Sequence, residues 1–212
     1  MNKKLILSPS IVTIVLLVTM SCASPTLTPT TTLEPPIPPH FTTYTSEGLF
    51  SISYPPDWVP ATSIMEELFE EVKEWMKTID PEVAVEDMRV LFLGGIPAEE
   101  GYYPGVNILV IPRSVGYWEL DELVEAECQY SMEHTQGYRE YSRVRTVVDG
   151  RQAVIIDSED CDPPEIGRWR HLQLFMTKDK FAWCVTCSAE LEDFEDYEDT
   201  FNSIVSSLRI FK

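Results

Sequence analysis

Apolar and polar residues alternate in the stretch FSISY (50–54). Phe50, Ile52 and Tyr54 fall on one side of an extended chain, Ser51 and Ser53 on the other, and Pro55 ends the run. With FTTYT (41–45) before it, this pattern predicts two opening strands. Behind Ser63 and Glu66, a capping-box pair, Ile64, Met65, Leu68, Phe69, Val72, Trp75 and Met76 recur at helical spacing and predict an amphipathic helix over 63–78. Two strands follow, MRVLFLG (88–94) and VNILVIP (106–112), separated by a Gly- and Pro-rich loop that includes EEGYYPG (99–105). A second helix is predicted over about 118–136, with Leu120, Val124, Cys128 and Met132 on one stripe and Gly137 as a left-handed cap. SRVRTVV (142–148), RQAVIID (151–157), RWRHLQLFM (168–176) and KFAWCVTC (180–187) then read as an antiparallel meander. Asp149-Gly150 makes a tight hairpin, and Lys178-Asp179 lies near another turn. A last helix, about 192–208, aligns Phe194, Tyr197, Phe201, Ile204, Val205 and Leu208, and RIFK (209–212) can return as a strand. Strands mixed with grouped helices predict an antiparallel sheet flanked by helices.

The N-terminus has a different character. Lys3 and Lys4 precede an uncharged, mostly apolar run from Leu5 to Met20, about 16 residues against the roughly 20 of a bilayer span. Val18-Thr19-Met20-Ser21-Cys22 resembles the bacterial lipobox, in which a small residue precedes a cysteine that is acylated and becomes the new N-terminus. Residues 23–39 hold six Ser or Thr and six Pro in seventeen positions, so they cannot build a hydrophobic face and should stay extended. The expected organisation is a lipoprotein signal peptide at 1–21, a tether at 22–40 beginning with acylated Cys22, and one globular domain at 41–212.

Three phrases in the body, YTSEGLFSISYPPDW (44–58), VVDGRQAVI (147–155) and YEDTFNSIVSSLRI (197–210), resemble the PsbP-like family. That family includes the extrinsic photosystem II subunit PsbP and many bacterial lipoproteins. The resemblance implies an α+β fold, an α/β/α sandwich with a central antiparallel sheet flanked by helices. It leaves function open, since one fold hosts many activities.

The formal net charge is −19, which repels phosphate backbones and argues against nucleic acid as a partner. Besides Cys22 there are four cysteines, an even number in a chain addressed outside the cytoplasm, and two disulfides are expected. Cys184 and Cys187 would point to opposite faces of a strand, about 10 Å apart, too far for a bridge between them. Cys128 with Cys184 and Cys161 with Cys187 is the pairing the element order favours. A redox Cys-x-x-Cys needs a helix N-terminus that this strand lacks, and a four-cysteine zinc site needs two close pairs.

Chemistry is sparse. His40, His134 and His171 have no neighbouring ligand pattern and read as structural or solvated. No nucleophile elbow, phosphate loop or zinc-protease motif is present, and no cofactor is expected. Asp157, Glu159, Asp160 and Asp162 form an acidic loop with oxygens for Ca²⁺, though without the spacing of an EF-hand; a solvated turn is the simpler reading. Tyr102 and Tyr103, between Gly101 and Pro104, are candidate contact residues on a loop or a cover for a sheet edge. The resulting expectation is a lipid-anchored protein of the bacterial envelope, outside the cytoplasmic membrane. Its domain binds a protein partner or small ligand without catalysis. An extracytoplasmic enzyme using carboxylates or cysteines, and an accessory subunit of an envelope or photosynthetic complex, are the alternatives.

Overall fold

A computed structural model describes residues 37–46, 48–61, 89–98, 101–112, 119–161 and 167–211. The signal segment, the tether before residue 37 and the helix expected at 63–78 lie outside the described residues. The alternating opening forms β1 (Thr42–Ser46) and β2 (Phe50–Tyr54), which pair antiparallel. A short β3 (Val59–Pro60) leads to β4 (Arg89–Ala98) and β5 (Gly101–Pro112). After α1 (Leu120–His134) comes the meander β6 (Arg139–Val148), β7 (Arg151–Asp160), β8 (Trp169–Lys178) and β9 (Phe181–Glu190). The chain closes with α2 (Phe194–Ser206) and β10 (Arg209–Ile210).

Seven strands make one antiparallel sheet in the order β3-β4-β5-β9-β8-β7-β6, and β1-β2-β10 make a second, smaller one. Helix α1 packs over β7 and β8. On the other face lie α2 and the small sheet. The sandwich expected from the family resemblance is therefore strand-dominated, and one of its flanks is part helix and part sheet rather than helices alone.

Burial on both faces explains the composition of the central strands. In β7, Ala153 and Ile155 join the core shared with α2 and β2, while Val154 and Ile156 join the core under α1. A strand buried on both sides loses the polar alternation seen in β2 and reads as an apolar run. The Asp149-Gly150 turn uses two successive positive φ angles, 51° and 71°, which suits a two-residue hairpin between right-twisted strands.

Two expectations are corrected. GYYPG (101–105) is strand rather than loop: β5 begins at Gly101 and Tyr102 is paired opposite Pro97, so Tyr102 and Tyr103 belong to a strand, while Glu99 and Glu100 lie outside the described residues. In α1, Leu120, Val124 and Cys128 are buried as expected, but Met132 is 65% exposed. Steps of four residues advance 400°, so the stripe drifts about 40° per step and the fourth member leaves the interface. Glu127 and Ser131 are buried in its place.

Salt bridges fasten α1 to the edge of the sheet. Arg143 of β6 reaches Glu125 at 2.6 Å, and Arg145 pairs with Asp121. Both carboxylates are well exposed, so each pair contributes at most about 1 kcal/mol; their role is orientation. The α2 core carries more energy. Phe201 is fully buried against the rings of Trp58, Phe194 and Tyr197. Replacing it by Ala should cost about 3–5 kcal/mol, read as a lowered urea midpoint with an unchanged m-value.

Candidate functional site

Cross-strand register sorts the α1 face of the sheet into bands. One row, Leu109, Cys184, Phe175 and Val154, is apolar and lies with Leu120, Leu123 and Val124 of the helix. The next row carries Asn107, Thr186, Gln173 and Ile156. The row after it carries Gly105, Ser188, His171, Ser158 and Glu140. Helix α1 runs from the apolar band toward the polar one, since the Cys161 amide just past β7 donates to the carbonyl of Gln136, beyond the helix end, at 2.9 Å.

Within the polar band, His171 joins two neighbours. Its Nδ1 lies 2.8 Å from Ser188 Oγ and its Nε2 lies 3.0 Å from Asp160 Oδ2. With a neutral ring, Ser188 donates to Nδ1 and the Nε2–H donates to Asp160. This is the nucleophile, base and carboxylate order of a catalytic triad, with the ring nitrogens exchanged. Ser188 is 6% exposed, His171 2% and Asp160 4%. In that setting the three form an interior hydrogen-bond relay that satisfies polar groups the sheet has buried.

Two further groups in this layer do not find partners. Ser158, opposite His171, has an unbonded Oγ, and Asp160 has an unbonded Oδ1. Nearer Cys184, the Glu127 carboxyl also has an unpaired oxygen, and burial alone holds its pKa well above the ordinary value of 4.5. Burial thus favours the neutral acid at Glu127.

No disulfide links the four body cysteines in this structure; Cys128, Cys184 and Cys187 are buried and Cys161 is half-buried. Cys128 turns toward Tyr138 and Arg143, with β7 and β8 between it and Cys184 on β9. Cys187 belongs to the core on the opposite face, and Cys161 donates to the Gln136 carbonyl at the end of α1. A Cβ on Gly137 would collide with the Cys161 sulfur, and Gly137 has φ +70°, so that contact and the left-handed turn two residues past the Thr135 cap both require glycine. Burial pushes the Cys128 thiol up to about 12 and raises Cys184 and Cys187 as well. Thiols held this way are poor nucleophiles at neutral pH.

The acidic loop is also redrawn. Asp157, Glu159 and Asp160 sit in β7, where alternation sends Asp160 to the α1 face and the other two to the far side. Asp157 receives both ends of the Arg170 guanidinium, at 2.9 and 2.7 Å, and Glu159 receives Arg168 and the Tyr141 hydroxyl, each at 2.5 Å. Arg139 and Arg170 each lie 4.9 Å from the Tyr141 ring centroid, and Arg170 also caps Phe194 at 4.5 Å. These carboxylates are occupied by cations of the protein itself. Asp162 lies outside the described residues, and among the described residues no group of three or more His, Cys, Asp or Glu is placed to hold a metal ion. His134 turns back on the helix, its Nδ1 3.0 Å from the Tyr130 carbonyl. Cys22 lies outside the described residues.

No family model matches the chain, and a comparison with curated proteins finds no match. Among solved structures, cyanobacterial PsbP from Synechocystis sp. PCC 6803 is 9% identical with a TM-score of 0.47, covering 81% of this chain and 93% of its own. LpqN of Mycobacterium tuberculosis, involved in cell envelope biogenesis, is 10% identical with a TM-score of 0.42, covering 81% of this chain and 91% of its own. The immunity protein TplEi of Pseudomonas aeruginosa, solved with a peptide, is 11% identical with a TM-score of 0.42, covering 82% of this chain and 99% of its own. Among the described residues no helix is long and apolar enough to cross a membrane.

Glu127 makes the fold sensitive to pH in a defined direction. Its carboxyl is raised in the folded state, so the stability it lends is fully present below about pH 4.5 and is lost as pH rises toward the folded value. Glu127→Gln should remove that loss. The slope of unfolding free energy against pH should flatten by up to about 1.4 kcal/mol per pH unit, measured by urea titration between about pH 4 and 8. An unchanged slope would place the carboxyl's titration elsewhere.

Proposed function

We propose that this chain is an exported protein held at a membrane by acylated Cys22, and that its domain is a non-catalytic binding or accessory module. The anchor is supported by the order of Lys3-Lys4, the apolar run, Ser21-Cys22 and the Pro- and Thr-rich tether. The observation that carries the non-catalytic part is the enclosure of the Asp160, His171 and Ser188 relay. A serine 6% exposed has a base within reach but no approach for an acyl group. What the domain offers to a partner is surface. A role as accessory subunit of an envelope complex is the family-based form of this reading.

Of the two expected disulfides, Cys128 with Cys184 keeps some support because both lie in one apolar cluster. Mass spectrometry of the denatured, alkylated chain distinguishes the cases: two or fewer free body thiols support bridging, and four exclude it.

Cys22→Ala should abolish incorporation of a clickable palmitate analogue and move the protein out of the membrane fraction. A wild-type chain recovered without lipid and with its leader intact would overturn the anchor. A fluorophosphonate probe should leave Ser188 of the native protein unlabelled. Labelling lost in Ser188→Ala and in His171→Ala would replace the binding reading by a hydrolase.

A further inference from the structure

The seven-stranded sheet ends on β6, and among the described residues β7 is its partner on one side while no strand lies on the other. The Asp149-Gly150 turn decides which backbone groups that edge leaves open. A two-residue hairpin makes its flanking residues, Val148 and Arg151, a hydrogen-bonded pair, so Val148, Thr146, Val144 and Ser142 bond to β7. Arg143, Arg145 and Val147 then turn their N–H and C=O groups outward, at intervals of about 7 Å. Such a row of donors and acceptors is a template for a further strand. Edges are commonly blunted by charges standing over them, by Pro or by a bulge. The bulge of β6 falls at Tyr141, between Glu140 and Ser142, and the run from Ser142 to Val148 pairs with β7 without interruption and contains no Pro. The two charges in that run lean away from the edge: Arg143 lies on Glu125 and Glu140, and Arg145 on Asp121, toward the helix that packs over β7 and β8. What the edge presents between them is Val144, Thr146, Val147 and Val148, β-branched residues suited to cross-strand contact.

Beyond the bulge the same edge turns cationic. Arg139 is exposed, its guanidinium stacks 4.9 Å from the Tyr141 ring centroid, and among the described residues it forms no ion pair. Arg168 stands at the same corner, and its pair with Glu159 leaves its side chain 57% exposed. Tyr141, itself 41% exposed, is held in place by the bond from its hydroxyl to Glu159. Arg and Tyr on a rigid support are the residue types that carry most of the energy in protein interfaces. A carboxylate reaching this corner would gain charge-assisted hydrogen bonds from Arg139. A polyanion would be repelled by the net charge of −19, so the complementary partner carries one or two carboxylates on an otherwise uncharged strand. A second copy of this chain fits worse, because two bodies of that charge repel each other.

We propose that the free edge of β6 from Ser142 to Val148 is a docking site for an extended segment of a partner protein. That segment adds to the sheet as a further strand, with β-branched residues along its middle and an acidic residue at the end that meets Arg139. Backbone hydrogen bonds to Arg143, Arg145 and Val147 hold it, and the carboxylate at Arg139 sets its register. This rests on the binding reading above and names the class of partner. Its failure would leave the Cys22 and Ser188 outcomes untouched.

The test is selection of a random dodecapeptide phage library on the immobilised full chain in detergent. Enriched peptides should carry alternating β-branched residues with one or two Asp or Glu toward one end, and a fluorescein-labelled copy should bind by anisotropy. Methylating the alternate peptide amides that face β6 should abolish binding, and shifting the methyl groups by one residue should restore it. Val147→Pro removes an outward N–H and no ladder bond, so it should fold, as checked by circular dichroism, and lose the peptide. Arg139→Ala should raise Kd about ten-fold, and added salt should weaken the wild type more than this variant. No enrichment, binding that survives methylation in either register, or an unchanged Kd in Arg139→Ala would overturn the proposal. A chain that sediments as a dimer, and as a monomer after Val147→Pro, would overturn it in favour of a second copy at this edge.

Discussion

Backbone pairing of β5, β9, β8 and β7 holds both cores of this protein at once. Each of these strands is flanked by two others, so residues along their middle have a fixed neighbour on either side, and side chains alternate between α1 and the layer of α2 with the small sheet. A slip of one residue in any strand would send an apolar set to the wrong core and a polar row with it. The two cores therefore enforce the register jointly, and the register in turn brings Asp160, His171 and Ser188 together. None of the three is near another in the chain; their meeting is a property of the pairing.

The polar band shows how a sheet tolerates buried polarity. Ser188, His171 and Asp160 satisfy one another in a line that crosses three strands. Fully connected networks of this kind rigidify an interior, while groups left outside the network remain costly. At Glu127 burial favours the neutral carboxyl, which lowers that cost. Asp160 Oδ1 and Ser158 Oγ lie outside the relay and find no partner in the protein.

Charge is organised in the same two-sided way. Asp157 and Glu159 pair with Arg170 and Arg168 on one side of β7, and Asp160 meets the His171 ring on the other. In a chain of net charge −19, Arg143 and Arg145 of β6 meet carboxylates of α1, and Arg170 of β8 meets Asp157. The acidic surface elsewhere stays free to be solvated, and it disfavours polyanionic partners.

The sequence by itself determined the local elements. The Phe50, Ile52, Tyr54 alternation, the Asp149-Gly150 turn, the left-handed turn at Gly137 and the Phe194 to Leu208 stripe each carry their own signal within a few residues, because turn chemistry and one-sided burial act locally. It also wrote the leader, Cys22 and tether in composition. The candidate site was not legible in that way. His171 lies 17 residues from Ser188 and 11 from Asp160, and no short-range pattern marks side chains that meet only through strand register. The strand character of Tyr102 and Tyr103, the burial of Glu127 in place of Met132, and the division of the acidic run between two faces were likewise decided by tertiary structure. In each case the deciding quantity was which surface a neighbouring element covered, and that depends on contacts between residues the chain itself keeps far apart.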